Sequence, residues 1–203
     1  MAQARVMFLG DSLVRGDEAT IGGHRSFRGR LMQQLIQGNY DVSVVGSQQL
    51  APALGGDPDH EGYTDSTIAA MRARIATILA APVTVEIIVV CIGWPDVLAN
   101  TGSIGTAYTG LIDDITTAKS SAKVVMCTLP PYYGRTAGET GALYPAYDTL
   151  NAAIRAKTGS NLVLCDLAAM SGGGERQKYL DDLIRESTLP SDALLAGANG
   201  NEV

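Results

Sequence analysis

The sequence predicts an α/β fold, a three-layer α/β/α sandwich around a five-stranded parallel sheet. Five short apolar runs, RVMFL, DVSVV, VEIIVVCI, AKVVMCTL and NLVLCDL, lack the polar alternation of a strand that faces water on one side. Between them lie segments whose apolar residues recur at helical spacing, so strand and helix alternate along the chain. A chain of 203 residues, 46% hydrophobic and 18% charged, can bury a core without staples. A single domain over residues 1–203 is therefore expected.

Taken in order, the first run (5–9) is followed by Phe27, Leu31 and Leu35 on one helical face. The second (41–45) precedes Ile68, Met71, Ile75 and Leu79, and the third (85–92) precedes Tyr108, Leu111, Ile112 and Ile115. The fourth (122–129) leads to Tyr147, Leu150 and Ile154, and the fifth is 161–167. Right-handed crossovers wrap such helices on both sheet faces, and a flavodoxin-like strand order is expected. GETGA and SGGGE read as flexible surface loops.

A formal net charge of -6 with no Lys/Arg run disfavours phosphate backbones and anionic lipid, so neither nucleic acid nor a membrane surface is expected as partner. No uninterrupted apolar stretch approaches the ~20 residues of a membrane-spanning helix. The first strand starts almost at once, which leaves no room for a signal peptide. The expected location is cytoplasmic, or secreted with the signal already removed. Cys91, Cys127 and Cys165 lack C-x-x-C spacing and end apolar runs, so they read as inert core residues.

In open parallel sheets ligands bind beyond the carboxyl ends of the strands, so the segments there hold the chemical information. They are GDSLVRG, GSQQ leading to DPDHEGYTDS, GWPDVLAN and PPYYGR. Taken alone, Asp11 and Ser12 in a GDS triplet make a turn or cap a helix as readily as they make a nucleophile. Asp57, Asp59, His60 and Glu61 offer oxygen-rich ligands, but four polar residues in a loop are more often solvated, so no metal or other cofactor is expected.

The order of these segments, over nearly the whole chain, resembles the SGNH (GDSL) hydrolases, most closely their acetylxylan-esterase-like branch of carbohydrate esterases. GDSL matches the nucleophile block, GGHR a GGYR-like turn, VVGSQ the oxyanion glycine block and DPDHEGYTDSTI a D-x-D-H-E-G-x-S-G-x-x-I stretch. IGWPDVLAN lines up with the G-x-N-D block, and SDALLAGANGNEV with a terminal D-G-L-H-P-N-x-x-G-N-E-V pattern. The resemblance implies the SGNH hydrolase fold, with a last helix beyond GNEV. It also implies Ser12 as nucleophile, the Ser12 and Gly46 backbone N–H groups as oxyanion donors, and Asp192 on the base side of the site. Asp11, Pro95 and Trp94 join Gly46 as expected oxyanion- and substrate-binding positions, with Trp94 either stacking on a sugar or simply packing.

Two departures fall on the chemistry. Pro95 stands at the asparagine of G-x-N-D and has neither a side-chain donor nor an N–H. Leu195 stands at the histidine that serves the family as general base. Only His24 and His60 remain in the chain. His60 is the alternative base, against the plainer reading of a loop-fixing hydrogen-bonding residue. Asp96 matches the acidic end of its block and reads equally as a cap. The leading expectation is a serine carboxylic ester hydrolase acting on a small-molecule or polysaccharide ester, most specifically a carbohydrate O-deacetylase of reduced activity. A catalytically impaired carbohydrate-binding or scaffolding module is the alternative. A nucleotide-binding protein is disfavoured, since no phosphate-binding glycine motif follows a strand.

Overall fold

The computed structural model describes residues 3–16, 27–50, 57–81, 84–131 and 137–169. His24, the SGGGE segment, Asp192 and Leu195 lie outside the described residues. In chain order the elements are β1 (Ala4–Gly10), α1 (Ser12–Arg15), α2 (Phe27–Gln37), β2 (Val42–Val45), β3 (Gln48–Gln49), β4 (Asp59–Gly62) and α3 (Ile68–Ala80). There follow β5 (Ile87–Cys91), α4 (Trp94–Leu98), α5 (Ile104–Ala118), β6 (Lys123–Cys127), α6 (Ala137–Leu143), α7 (Pro145–Ala156) and β7 (Leu162–Cys165).

All five expected strands form, and they pair in parallel in the order β2-β1-β5-β6-β7. Counted along the chain this is 2-1-3-4-5, the flavodoxin-like order. Two short strands extend the sheet beyond expectation. Strand β4 runs parallel to the last residues of β1, with Leu9 opposite Glu61 and Gly10 opposite Gly62, and β3 pairs antiparallel with β4. Strand β2 pairs only with Ala4–Met7, so β2 and β4 share one edge of β1 in succession.

Alternate residues of the central strands face opposite ways, as the two-residue strand period requires. Met7, Leu9, Ile88, Val90, Val124 and Met126 pack with the apolar stripes of α3, α5 and α7. Val6, Phe8, Val89, Cys91 and Cys127 face the other way, toward Met32 and the partly buried Phe27, Leu31 and Leu35 of α2. Ile68, Met71, Tyr108, Leu111, Ile112, Ile115, Leu150 and Ile154 are fully buried. Each such aliphatic side chain contributes about 1.5–3 kcal/mol by leaving water.

Three expectations need correction. GETGA is no loop: it lies in α6, where Thr140 and Gly141 are buried. A Cβ on Gly141 would sit 2.1 Å from the Asp148 carboxylate of α7, so this glycine permits close helix packing rather than flexibility. Among the described residues, strand β7 is not covered on both faces, since Val163 and Leu164 are exposed and Cys165 is only half-buried. It is the last of the described strands in the pairing order, whereas Cys91 and Cys127 on interior strands are buried as expected. Finally, His60 and Glu61 are buried rather than solvated, because they sit on a paired strand.

The carboxyl end of β7 is tied down by Asp166. Arg155 of α7 donates to both of its carboxylate oxygens, from Nε at 2.8 Å and from a terminal nitrogen at 2.9 Å. The Thr128 hydroxyl donates at 2.9 Å, and the Ala168 N–H donates in turn to that hydroxyl. The hydrogen-bonded Arg155 guanidinium, helped by Thr128, holds the Asp166 carboxyl down from its usual value of 3.8 to about 2. A depressed carboxylate contributes stability that is complete above its unfolded value and is lost as pH falls through the folded one. Asp166→Asn should therefore lower the thermal midpoint at neutral pH. The difference from the parent should shrink between about pH 4 and about pH 2, as followed by circular dichroism. A gap that stays constant over that range would contradict this role.

Candidate active site

The site begins where β1 ends. Asp11 caps α1, its Oδ1 accepting the Leu13 N–H at 3.0 Å, and Gly16 closes the helix at φ 88°. Such a tight strand-to-helix turn leaves Ser12 at the carboxyl edge of the sheet, half-buried. Its Oγ accepts the Asp65 N–H at 3.1 Å. Asp65 takes φ 50°, the left-handed region that favours glycine, and it stands where the stretch resembling D-x-D-H-E-G-x-S-G carries its second glycine.

The other oxygen of Asp11 reaches across to the next strand. Its Oδ2 accepts the Gly93 N–H at 2.9 Å and the Trp94 N–H at 3.1 Å, joining the turn after β5 to the turn after β1. Gly93 has φ 132°, which only glycine adopts without strain. Asp11 is fully buried, so it holds the two turns from inside the protein, unlike the substrate-facing place expected of it. Burial pushes its carboxyl up, opposed by the N–H groups that pull it down. Asp96 makes a second tie, its Oδ2 accepting the Ile68 N–H at the start of α3 at 2.9 Å. Burial likewise raises its carboxyl.

Pro95 occupies the first turn of α4, beyond the carboxyl end of β5 and beside these ties. Trp94 stacks on Tyr147, with ring centroids 5.9 Å apart, and meets Tyr144 edge-on at 6.5 Å. Trp94 thus packs against the aromatic rings of Tyr144 and Tyr147, with part of the residue still accessible.

Gly46 lies where β2 parts from β1 and β4 replaces it. A Cβ on Gly46 would stand 2.4 Å from the His60 backbone, so glycine is required for β4 to pass this closely. Among the described residues, neither the Ser12 nor the Gly46 backbone N–H has a hydrogen-bond acceptor. His60 is itself buried, with Nδ1 accepting the Gly62 N–H at 2.9 Å, the geometry of a loop-fixing residue. Ser12, Gly46 and Pro95 therefore share one end of the sheet, and Asp192 lies outside the described residues. Among those residues no group of three or more His, Cys, Asp and Glu side chains is placed to hold a metal ion.

The burial of two charged side chains went unrecognised in the sequence. Arg28 donates from Nε to the Val14 carbonyl at 2.8 Å, and from its terminal nitrogens to the carbonyls of Asp59 at 3.1 Å and Leu50 at 2.9 Å. It thereby clamps the turn that bears Ser12 to the β3–β4 region. Burial brings its guanidinium down to about 10, against the charge of Asp57. Its signal was present, since Arg28, Met32 and Leu35 fall on one helical stripe at i, i+4 and i+7. Glu61 is the second. Its Oε1 accepts the Ser47 N–H at 2.5 Å, and its Oε2 accepts from the Ser47 hydroxyl at 3.1 Å and the Tyr63 hydroxyl at 2.7 Å.

This end of the sheet is also where comparison with known proteins is informative. Residues 8–184, most of the chain, match the family described as GDSL-like Lipase/Acylhydrolase. The chain belongs to this family. No curated protein matches the chain. Among solved structures, a family 3 carbohydrate esterase of Clostridium thermocellum superposes with a TM-score of 0.70 at 21% identity, covering 98% of this chain and 100% of its own. A carbohydrate esterase family 3 structure from Talaromyces cellulolyticus gives 0.64 at 22% identity, covering 90% and 94%. An acetyl esterase mutant with acetate ion gives 0.64 at 20%, covering 91% and 98%. At these identities the likeness is one of fold. The GDSL family member described here has the SGNH hydrolase architecture, and family membership supports ester hydrolysis in general.

Asp11→Asn tests the tie beneath the GDSL turn. A carboxamide has one acceptor oxygen, so it must face either Leu13 N–H or the Gly93 and Trp94 N–H groups with a donor of its own. The expected cost is about 1–3 kcal/mol of folding stability by urea denaturation, the penalty of leaving buried donors unmet. Stability equal to the parent's would contradict the tie.

Proposed function

We propose that the chain is a serine carboxylic ester hydrolase of the SGNH type that removes acetyl groups from a carbohydrate, in a catalytically weakened form. The observation that carries this reading is the placement of Ser12 at the carboxyl end of β1, with the Ser12 and Gly46 N–H groups at the same end of the sheet and without an acceptor among the described residues. The acetyl specificity draws its support from the carbohydrate and acetyl esterases that share the fold.

In this mechanism the Ser12 oxygen attacks the acyl carbon and gives up its proton to a base. The carbonyl oxygen becomes an oxyanion held by backbone N–H groups, and the tetrahedral intermediate expels the sugar alkoxide, which takes a proton. Water then hydrolyses the acetyl-serine and releases acetate. The base side belongs to Asp192 and its neighbours in sequence. Leu195 neither accepts nor releases a proton, and Pro95 donates no hydrogen bond. Loss of one oxyanion donor costs about 100- to 1,000-fold. Loss of the general base costs about 100- to 10,000-fold, although the two factors need not multiply. Pro95 in the first turn of α4 also favours a second reading, a carbohydrate-binding module that keeps the cleft without the chemistry.

Restoration separates the two. The double variant Pro95→Asn, Leu195→His should hydrolyse an activated acetyl ester faster than either single variant and far faster than the parent. Ser12→Ala should abolish the gain. Initial rates of the parent, singles, double and Ser12→Ala control decide it. A correctly folded double variant no faster than the parent would favour the binding module.

A further inference from the structure

The stretch 57–65 reaches both Ser12 and the Gly46–Ser47 turn, yet the mechanism above uses none of its side chains. Glu61 is the member whose position calls for explanation. A carboxylate that is only 2% exposed is costly to bury unless hydrogen bonds compensate. Glu61 meets no Lys or Arg in an ion pair among the described residues. Both of its oxygens are instead spent on Ser47, with the Tyr63 hydroxyl completing the set. Ser47 directly follows Gly46. The Ser47 and Tyr63 hydroxyls also stand 3.4 Å apart, and the Arg74 guanidinium lies 4.3 Å over the Tyr63 ring, which steadies the phenol from its other side.

We propose that Glu61 is the positioning residue of the oxyanion turn, fixing the Gly46–Ser47 peptide so that the Gly46 N–H faces the acyl oxygen. This rests on the esterase reading above. The turn needs such a device because β2 leaves the sheet at Val45, so the ladder with β1 no longer holds Gly46. Close contact with the His60 backbone limits movement in one direction only. The Glu61 carboxylate supplies the restraint from the next residue, and it does so from β4, the strand that also brings the Asp65 N–H to Ser12. A charged acceptor makes these bonds shorter and about twice as strong as neutral ones. With Pro95 in the asparagine position, the backbone donors bear more of the oxyanion, so their placement matters more.

The test compares Glu61→Ala, Glu61→Gln and Tyr63→Phe in the full chain against a Ser12→Ala blank. Active sites are counted by fluorophosphonate titration and Ser47 amide exchange is followed by NMR. Glu61→Ala is expected to lower kcat per active site about 10- to 100-fold with little change in KM, part of what a whole oxyanion donor contributes. Its Ser47 amide should exchange faster. Glu61→Gln should recover most of both effects, since its carboxamide oxygen still accepts the Ser47 N–H. If Glu61→Ala fails to fold, Tyr63→Phe still carries the test by removing one bond to the carboxylate: kcat should fall about threefold and Ser47 exchange should quicken. Folded variants with unchanged kcat and unchanged Ser47 exchange overturn the assignment alone. A parent with no turnover above the Ser12→Ala blank overturns the esterase reading and this assignment with it.

Discussion

Everything at the carboxyl end of the sheet hangs on the buried carboxylate of Asp11. Parallel strands end in turns that are free to diverge, because no ladder hydrogen bond joins them past their last residues. Asp11 replaces the missing ladder. One oxygen starts helix α1 and so aims Ser12 outward, and the other captures two N–H groups of the turn after β5. The cost of desolvating the charge is offset by three backbone donors at the ends of a strand and two short helices. Asp96 repeats the device one layer further out by meeting the first N–H of α3.

The second constraint is geometric. Strand β2 pairs with the first half of β1, and β4 with its end. The exchange happens at Gly46, whose missing side chain lets the His60 backbone through. From there β4 and the residues around it contribute a carbonyl to Arg28, the His60 ring to Gly62, the Glu61 carboxylate to Ser47 and the Asp65 N–H to Ser12. The apolar core sets where the strands end, while these polar contacts set where the site's atoms lie. Loss of a core side chain and loss of a polar tie should therefore differ in kind, the first lowering stability throughout and the second loosening one turn.

Strands β1, β2, β5, β6 and β7 were legible because each is an apolar run too short and too β-branched for a helix. The helices α2, α3, α5 and α7 were legible from their 3.6-residue stripes. What escaped follows one rule: burial of polar residues leaves no hydrophobic signature. Strand β4 reads DHEG and was taken for a solvated loop, although His60 and Glu61 are among the most buried polar side chains described. Arg28 was passed over for the same reason. Helix α6 was missed because its glycines suggest a loop unless one knows that Asp148 packs against Gly141. As for the site, composition and spacing reached only a set of turns at one end of a sheet. The family resemblance was needed to single out Ser12 and Gly46, and the partners of Asp11 and Glu61 follow only from the folded arrangement.

The central claim is that Ser12 and the Gly46 N–H form two halves of one acyl-transfer site. A crystal structure of the chain after reaction with a small fluorophosphonate tests this most directly, because the phosphonyl oxygen stands where the oxyanion of a tetrahedral intermediate would. The account predicts a covalent bond from Ser12 Oγ to phosphorus, with that oxygen within hydrogen-bonding reach of both the Ser12 and Gly46 backbone N–H groups. An adduct on another residue, or a phosphonyl oxygen on Ser12 turned away from Gly46, would contradict it.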